Sequence, residues 1–144
     1  MRVCIGSLLN SVLKEIISSV LLIVEFSVED CVCLERVLAS VVTGSTDLFQ
    51  RCPGDPPPQR HHESVLVTLN ECVPVWLRFG ELATFFGLGL GEVVDRWADG
   101  KGPLAVQLSG VELARLVVAV FEKTARRDAL VSRLQTATAA EVKQ

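Results

Sequence analysis

The chain has 144 residues, 14 of them basic and 17 acidic, for a net charge of −3. That length fits one domain with a real core, and the charge balance excludes both the basic excess of a nucleic-acid binder and a polyacidic tail. Hydrophobic residues at 49% and a mean hydropathy of +0.40 exclude a disordered chain and leave apolar surface to be buried internally or against a partner.

The first predicted element is an amphipathic helix. Ile5, Leu8, Leu9, Val12, Leu13, Ile16, Ile17, Val20 and Val24 recur at i, i+3, i+4 spacing, with Ser7, Ser11, Lys14, Glu15, Ser18 and Glu25 opposite. The apolar stripe is wide, so the helix is expected to be more buried than usual. Leu22 falls on the polar side and hints at a second packed surface. Lys14, Glu15, Ser18 and Ser19 break the run short of the roughly 18 uninterrupted apolar residues of a membrane span. No basic leader with a small-residue cleavage site marks a signal peptide.

Ser27 is placed to cap a second helix, with Glu29 and Asp30 in its first turn where the helix dipole favours anions. Val28, Cys31, Leu34, Leu38, Val41, Val42 and Phe49 continue the 3.6-residue period, loosening past Gly44. Residues 1–50 therefore read as a helical hairpin. Cys31 and Cys33 are two apart and point in different directions on a helix, which argues against a shared metal. The five cysteines (with Cys4, Cys52 and Cys72) are odd in number and form no C-x-x-C pair. They read as reduced thiols in a cytosolic setting.

Residues 51–78 read as a proline-rich loop and an extended segment. Pro56, Pro57 and Pro58 favour a polyproline path. His61 and His62 beside Cys52 lack the spacing of a metal site, and a dyad of Cys52 with either histidine has no rigid element to aim it. Val65, Val67 and Leu69 alternate as in a strand but have no partner strand, so Ser64 to Trp76 is expected to be extended chain packed on helices, with Pro74 barring a helix there.

The C-terminal helices occupy 79–135. Phe79, Leu82, Ala83, Phe86, Leu90, Val93, Val94 and Trp97 form one stripe ending at Gly100, and Trp97 completes it as a core residue. Gly87, Gly89 and Gly91 predict a soft or kinked middle, or a close helix contact. Ser109-Gly110-Val111-Glu112 is a capping box opening a further helix, whose apolar face is Leu113, Leu116, Val117, Val120 and Phe121. Thr124 caps a last helix carrying Ala125, Ala129, Leu130 and Leu134, and residues 136–144 are expected to fray.

Two glycine segments invite a nucleotide-binding or enzymatic reading. Gly87 to Gly91 lacks the final spacing of G-x-G-x-x-G, since position 92 is glutamate, and follows no strand. Gly100-Lys101-Gly102 has no hydroxyl after its lysine to hold magnesium. Asp95 to Ala98 reads instead as a last helical turn, Gly100 as its left-handed cap, Lys101 as a cation at the negative helix end and Pro103 as the stop. Lys123, Arg126, Arg127 and Arg133 make a basic edge interrupted by Glu122 and Asp128.

The C-terminal half resembles the end of the Zeste White Ten family, the centromere/kinetochore protein also used in vesicle tethering. The resemblance is carried by Pro74, Trp76, Phe79, Asp95 to Ala105, Leu116, Phe121, Thr124, Arg126 and Arg127; the N-terminal half fits more loosely. It covers most of this chain but only the final part of a much longer family protein. It implies a non-enzymatic scaffold in the Rod–Zwilch–Zeste White Ten kinetochore complex, which supports dynein/dynactin recruitment and the spindle checkpoint. It also implies a Golgi-to-ER tether with Rint-one, the NAG protein and syntaxin eighteen. The location implied is cytoplasmic, at kinetochores in mitosis and on the cytosolic face of the endoplasmic reticulum. Rod or NAG is the implied direct partner, with membranes reached only through partners.

The residues by themselves give the same class: an all-α bundle of four to five amphipathic helices with no chemical site, no cofactor and no metal. A binding patch would be built from helix faces. Trp76 and Phe85 are its candidate aromatic anchors if exposed, and Arg126 and Arg127 its candidate cations.

Overall fold

The computed structural model describes residues 2–51 and 62–141. All regular structure there is helical, as expected from the period-3.6 stripes. In chain order the elements are α1 (Arg2–Leu22), α2 (Val28–Arg51), α3 (His62–Cys72), α4 (Trp76–Phe85), α5 (Leu90–Trp97), a 3-10 turn (Ala98–Gly100), α6 (Pro103–Gln107), α7 (Gly110–Val120) and α8 (Ala125–Glu141). The element count exceeds four to five because one expected helix divides in two, one expected extended segment is itself helical, and Pro103–Gln107 adds a short helix between α5 and α7.

That segment is α3. Val65, Leu69 and Val73 are buried while Val67 is exposed, so the apolar positions follow i, i+4, i+8 and not alternation. Pro74 ends the helix as expected: it sits in the two-residue turn before α4. Asn10 on α1 fixes this turn, its side-chain oxygen accepting the Val75 N–H at 3.2 Å. The Cys52 to His61 part of the proline-rich segment, and the side chain of His62, lie outside the described residues.

α4 and α5 divide the stripe that the sequence presents as one helix. The glycine run turns the chain between them: the Gly87 and Leu88 N–H groups bond back to the carbonyls of Thr84 and Phe85 at 3.0 and 3.1 Å. Gly89, in an extended conformation, begins the new helix, its N–H donating to Glu92 Oε2 at 2.7 Å. The soft middle expected of three glycines is thus a full break. Trp97 is buried as expected.

The chain leaves α5 through a left-handed path longer than one glycine. Ala98 and Asp99 have φ of 48° and 51°, and Gly100 has φ of 87°. Pro103 does more than stop a helix, since it is the first residue of α6. Arg133 of α8 locks this corner from outside. Its guanidinium lies 5.4 Å from the Trp97 ring centre and pairs with the Asp99 carboxylate.

The core gathers around α4. Phe26, Phe85, Phe86 and Phe121 form a chain of edge-to-face contacts with centroids 5.3 to 6.1 Å apart, the geometry aromatic quadrupoles favour. α1 packs on α3, α4 and α7; α2 packs on α3 and α4; α7 and α8 form the most extensive helix pair. Residues 1–50 are consequently not a packed hairpin, because α1 and α2 each turn mainly to α3 and α4. Gly6 allows the close approach of α1 to α3: a Cβ there would stand 2.7 Å from the Cys72 carbonyl oxygen.

α1 is less buried than its stripe predicts. Leu13, Ile17 and Val20 enter the core, but Leu8 and Val12 face outward, as do Val24 and Val28 beyond the helix end. A helix packed along one line buries only a narrow stripe, and the remaining apolar residues of a wide stripe stay outside it. Val3–Leu22 also reaches the length and apolar composition of a membrane-crossing helix, with a hydropathy of 1.5, despite its interrupted run. At the other end, α8 continues to Glu141, past the expected fraying point at Gln135.

Candidate protein-docking site

Two of the four residues singled out as partner contacts are interior. Trp76 is 6% exposed and Phe85 fully buried, both on the core face of α4, so neither meets the condition of exposure. Arg127 is largely committed within the chain. Its Nη1 donates to the Phe121 carbonyl at 3.0 Å and its Nη2 to Asp128 at 3.0 Å, while its backbone N–H donates to Thr124 Oγ1 at 3.2 Å. It helps close the turn between α7 and α8, where Thr124 caps as expected. Arg126 is exposed.

The glycine segments do not form a phosphate cradle. The Lys101 and Gly102 N–H groups bond to the carbonyls of Ala98 and Trp97 at 3.1 and 2.9 Å, and those of Gly87, Leu88 and Gly89 are likewise spent. A cradle requires several N–H groups converging on open space. Among the described residues no group of three His, Cys, Asp or Glu side chains is arranged to hold a metal. Cys4, Cys31, Cys33 and Cys72 are free thiols, and burial, with Asp30 beside it, pushes the Cys31 thiol up and away from reactivity.

Among the described residues, two troughs lie between helices at the surface. One, of about 440 Å³, lies between the α1–α2 loop, α7 and α8. Its walls include Leu22, Val24, Val111, Val118 and Val131, with Arg115 as the charged member. Leu22, at the end of α1, and Val24, in the loop after it, are 77% and 84% exposed and lie together with Val111 and Val118 on one apolar patch. The loop is anchored at Phe26, whose N–H donates to the Ala119 carbonyl of α7 at 2.9 Å and whose ring is buried. Ser27 closes its far end: its N–H and hydroxyl both donate to Asp30 Oδ2, at 3.0 and 2.8 Å. These hydrogen bonds hold the Asp30 carboxyl below its ordinary range.

The second trough, of about 660 Å³, runs between α2, α3 and α4. Glu35, Leu77 and Glu81 stand at it, and Trp76 lies beneath. Glu81 is paired: its two oxygens receive Nε and Nη2 of Arg96 at 2.8 Å each, a bidentate geometry that raises the Arg96 pKa further.

Residues 2–134 match the family model of the ZW10 C-terminal helical domain. The chain belongs to this family. It is 32% identical to the rat (Rattus norvegicus) centromere/kinetochore protein zw10 homolog over 130 residues, which are 90% of this chain and 16% of that protein. The mouse (Mus musculus) protein of the same name is 31% identical over the same shares. The Caenorhabditis elegans one is 26% identical over 90% of this chain and 15% of its own length. The chain thus spans about one-sixth of the length of these relatives.

Sequence reasoning missed the first trough. Its signal was present at Leu22, on the polar side of the α1 stripe, and at Val111 and Val118, which lie seven apart on the face of α7 opposite its core stripe. Their common wall forms only when α1, α7 and α8 are packed.

Proposed function

We propose that this domain is a non-catalytic scaffold that docks partner subunits through its inter-helix troughs, in kinetochore and vesicle-tethering assemblies. Family membership supports the scaffold role, and the names of the relatives support a place at the kinetochore in mitosis. The observation that supports the docking reading is the exposed Leu22–Val24 segment beside Val111 and Val118, apolar surface that packing among the described residues leaves uncovered.

By resemblance, the direct partner is Rod in a complex with Zwilch that supports dynein/dynactin recruitment and the spindle checkpoint. In a Golgi-to-ER tether on the cytosolic face of the endoplasmic reticulum it is NAG, with Rint-one and syntaxin eighteen further along. Arg126 remains a candidate contact because it is exposed. Equilibrium binding of the chain to Rod or NAG fragments tests the reading. Association is expected at or below about tens of micromolar, and its absence there would sink the partner assignment.

A further inference from the structure

The trough between the α1–α2 loop, α7 and α8 carries enough chemistry to specify what enters it. Val111, Arg115 and Val118 lie on one face of α7, spaced i, i+4, i+7, and cover roughly 10 Å along its axis. Leu22 and Val24 form the facing wall and Val131 of α8 the third side. Arg115 is the one charged side chain among the residues lining the trough, and among the described residues it makes no ion pair or hydrogen bond.

The walls select among ways of recognising a peptide. Strand addition needs a free sheet edge, and the described residues form no strand. Polyproline recognition needs aromatic side chains, and none lines this trough. An amphipathic helix satisfies its own backbone and asks only for a groove of apolar side chains, with residues at i, i+3 or i+4, and i+7 set against it. The solitary cation supplies register, because a guanidinium at the edge of an apolar groove is best answered by one carboxylate. We propose that this trough receives an amphipathic helix of a partner protein, about two to three turns long, that places an aspartate or glutamate opposite Arg115.

This inference rests on the reading of the domain as a docking module but not on which subunit docks. A phage library of a stable helical scaffold, with one exposed face of seven positions randomised, is selected against the immobilised 144-residue chain. Recovered binders are expected to compete with one another and to carry an acidic residue beside an apolar i, i+3/i+4, i+7 stripe. They should also bind Arg115→Glu at least tenfold more weakly, with recovery when their own acid is changed to lysine. Val106→Glu, on the exposed face of α6 and outside both troughs, should leave their affinity unchanged. Circular dichroism checks that each variant is folded, and Arg115→Gln replaces the charge reversal if that variant is not.

Recovery of no binders, binders without an acid, or binders indifferent to Arg115 would overturn the proposal. So would sedimentation showing that the chain self-associates and that Val118→Glu abolishes this, since a second copy would then be the occupant. Binders with the expected properties alongside no association with Rod or NAG would uphold the inference and remove only the partner assignment.

Discussion

Glu112 joins two helices that are distant in sequence. One carboxylate oxygen accepts the Ser109 N–H at 2.9 Å and closes the capping box of α7; the other receives Nη2 of Arg78 on α4 at 2.6 Å. The Ser109 hydroxyl completes the cap by accepting the Glu112 N–H at 3.2 Å. Partial burial pushes the Glu112 carboxyl up, but the Ser109 hydrogen bonds and the Arg78 charge outweigh it and hold the carboxyl below its ordinary range. A group with a depressed folded pKa contributes stability that is complete above the unfolded value, about 4.3 for glutamate, and is lost as pH falls through the folded value. Glu112→Gln is therefore expected to lower stability by about 1 kcal/mol at pH 7, allowing for the partial exposure of the pair. Thermal unfolding between pH 7 and 3 should show a shallower acid loss for the variant than for the wild-type chain.

Two glycines should respond oppositely to alanine. A Cβ on Gly6 would meet the backbone oxygen of Cys72, so α1 and α3 must separate and Gly6→Ala should cost about 1–3 kcal/mol. Gly44 lies inside α2 with nothing within 4 Å of a Cβ, so Gly44→Ala should stabilise by about 0.5–1 kcal/mol through helix propensity. Urea midpoints of the two variants decide this. Equal shifts would show that the close contact at Gly6 is not limiting.

The exit from α5 offers a glycine that should help and one that cannot be replaced. Ala98 holds a left-handed conformation at a strain of about 1–2 kcal/mol, partly offset in Ala98→Gly by the greater freedom of unfolded glycine, about 0.5–1 kcal/mol. The variant should melt at or above the wild-type temperature. Gly102 is buried, and a Cβ there would overlap the Arg96 carbonyl, so Gly102→Ala should lower Tm by several degrees, the equivalent of about 2 kcal/mol. Lys101→Ala, exposed and outside both constraints, should change stability by less than about 0.5 kcal/mol.

Leu22 and Val24 separate folding from docking. Both are mostly exposed, so the double change Leu22→Ser and Val24→Ser should keep the denaturation midpoint within about 0.5 kcal/mol of wild type. Titration of the same variant with the partner subunit should show affinity at least tenfold weaker. A large loss of stability with intact binding would place these residues in the core's service.

Local signals were legible wherever a few adjacent residues decide the outcome. The Ser27, Ser109 and Thr124 caps depend on side chains reaching backbone within one turn, and the helix stop at Pro74 on a missing N–H. Features set by neighbours far along the chain were not. Val65, Val67 and Leu69 fit a strand or a helix equally until α1 and α2 cover one side of α3. Trp76 and Phe85 could each have been an exposed anchor until α1, α2 and α6 closed over α4.

The sequence by itself determined an all-α chain, several of its helix ends, the missing phosphate loop and the resemblance to its family, because period, capping chemistry and motif spacing are written in consecutive residues. Tertiary structure alone decided which part of each apolar stripe is core and which is surface. That choice left Leu22, Val24, Val111 and Val118 outside with Arg115 among them, because a helix can bury only the face its neighbours reach.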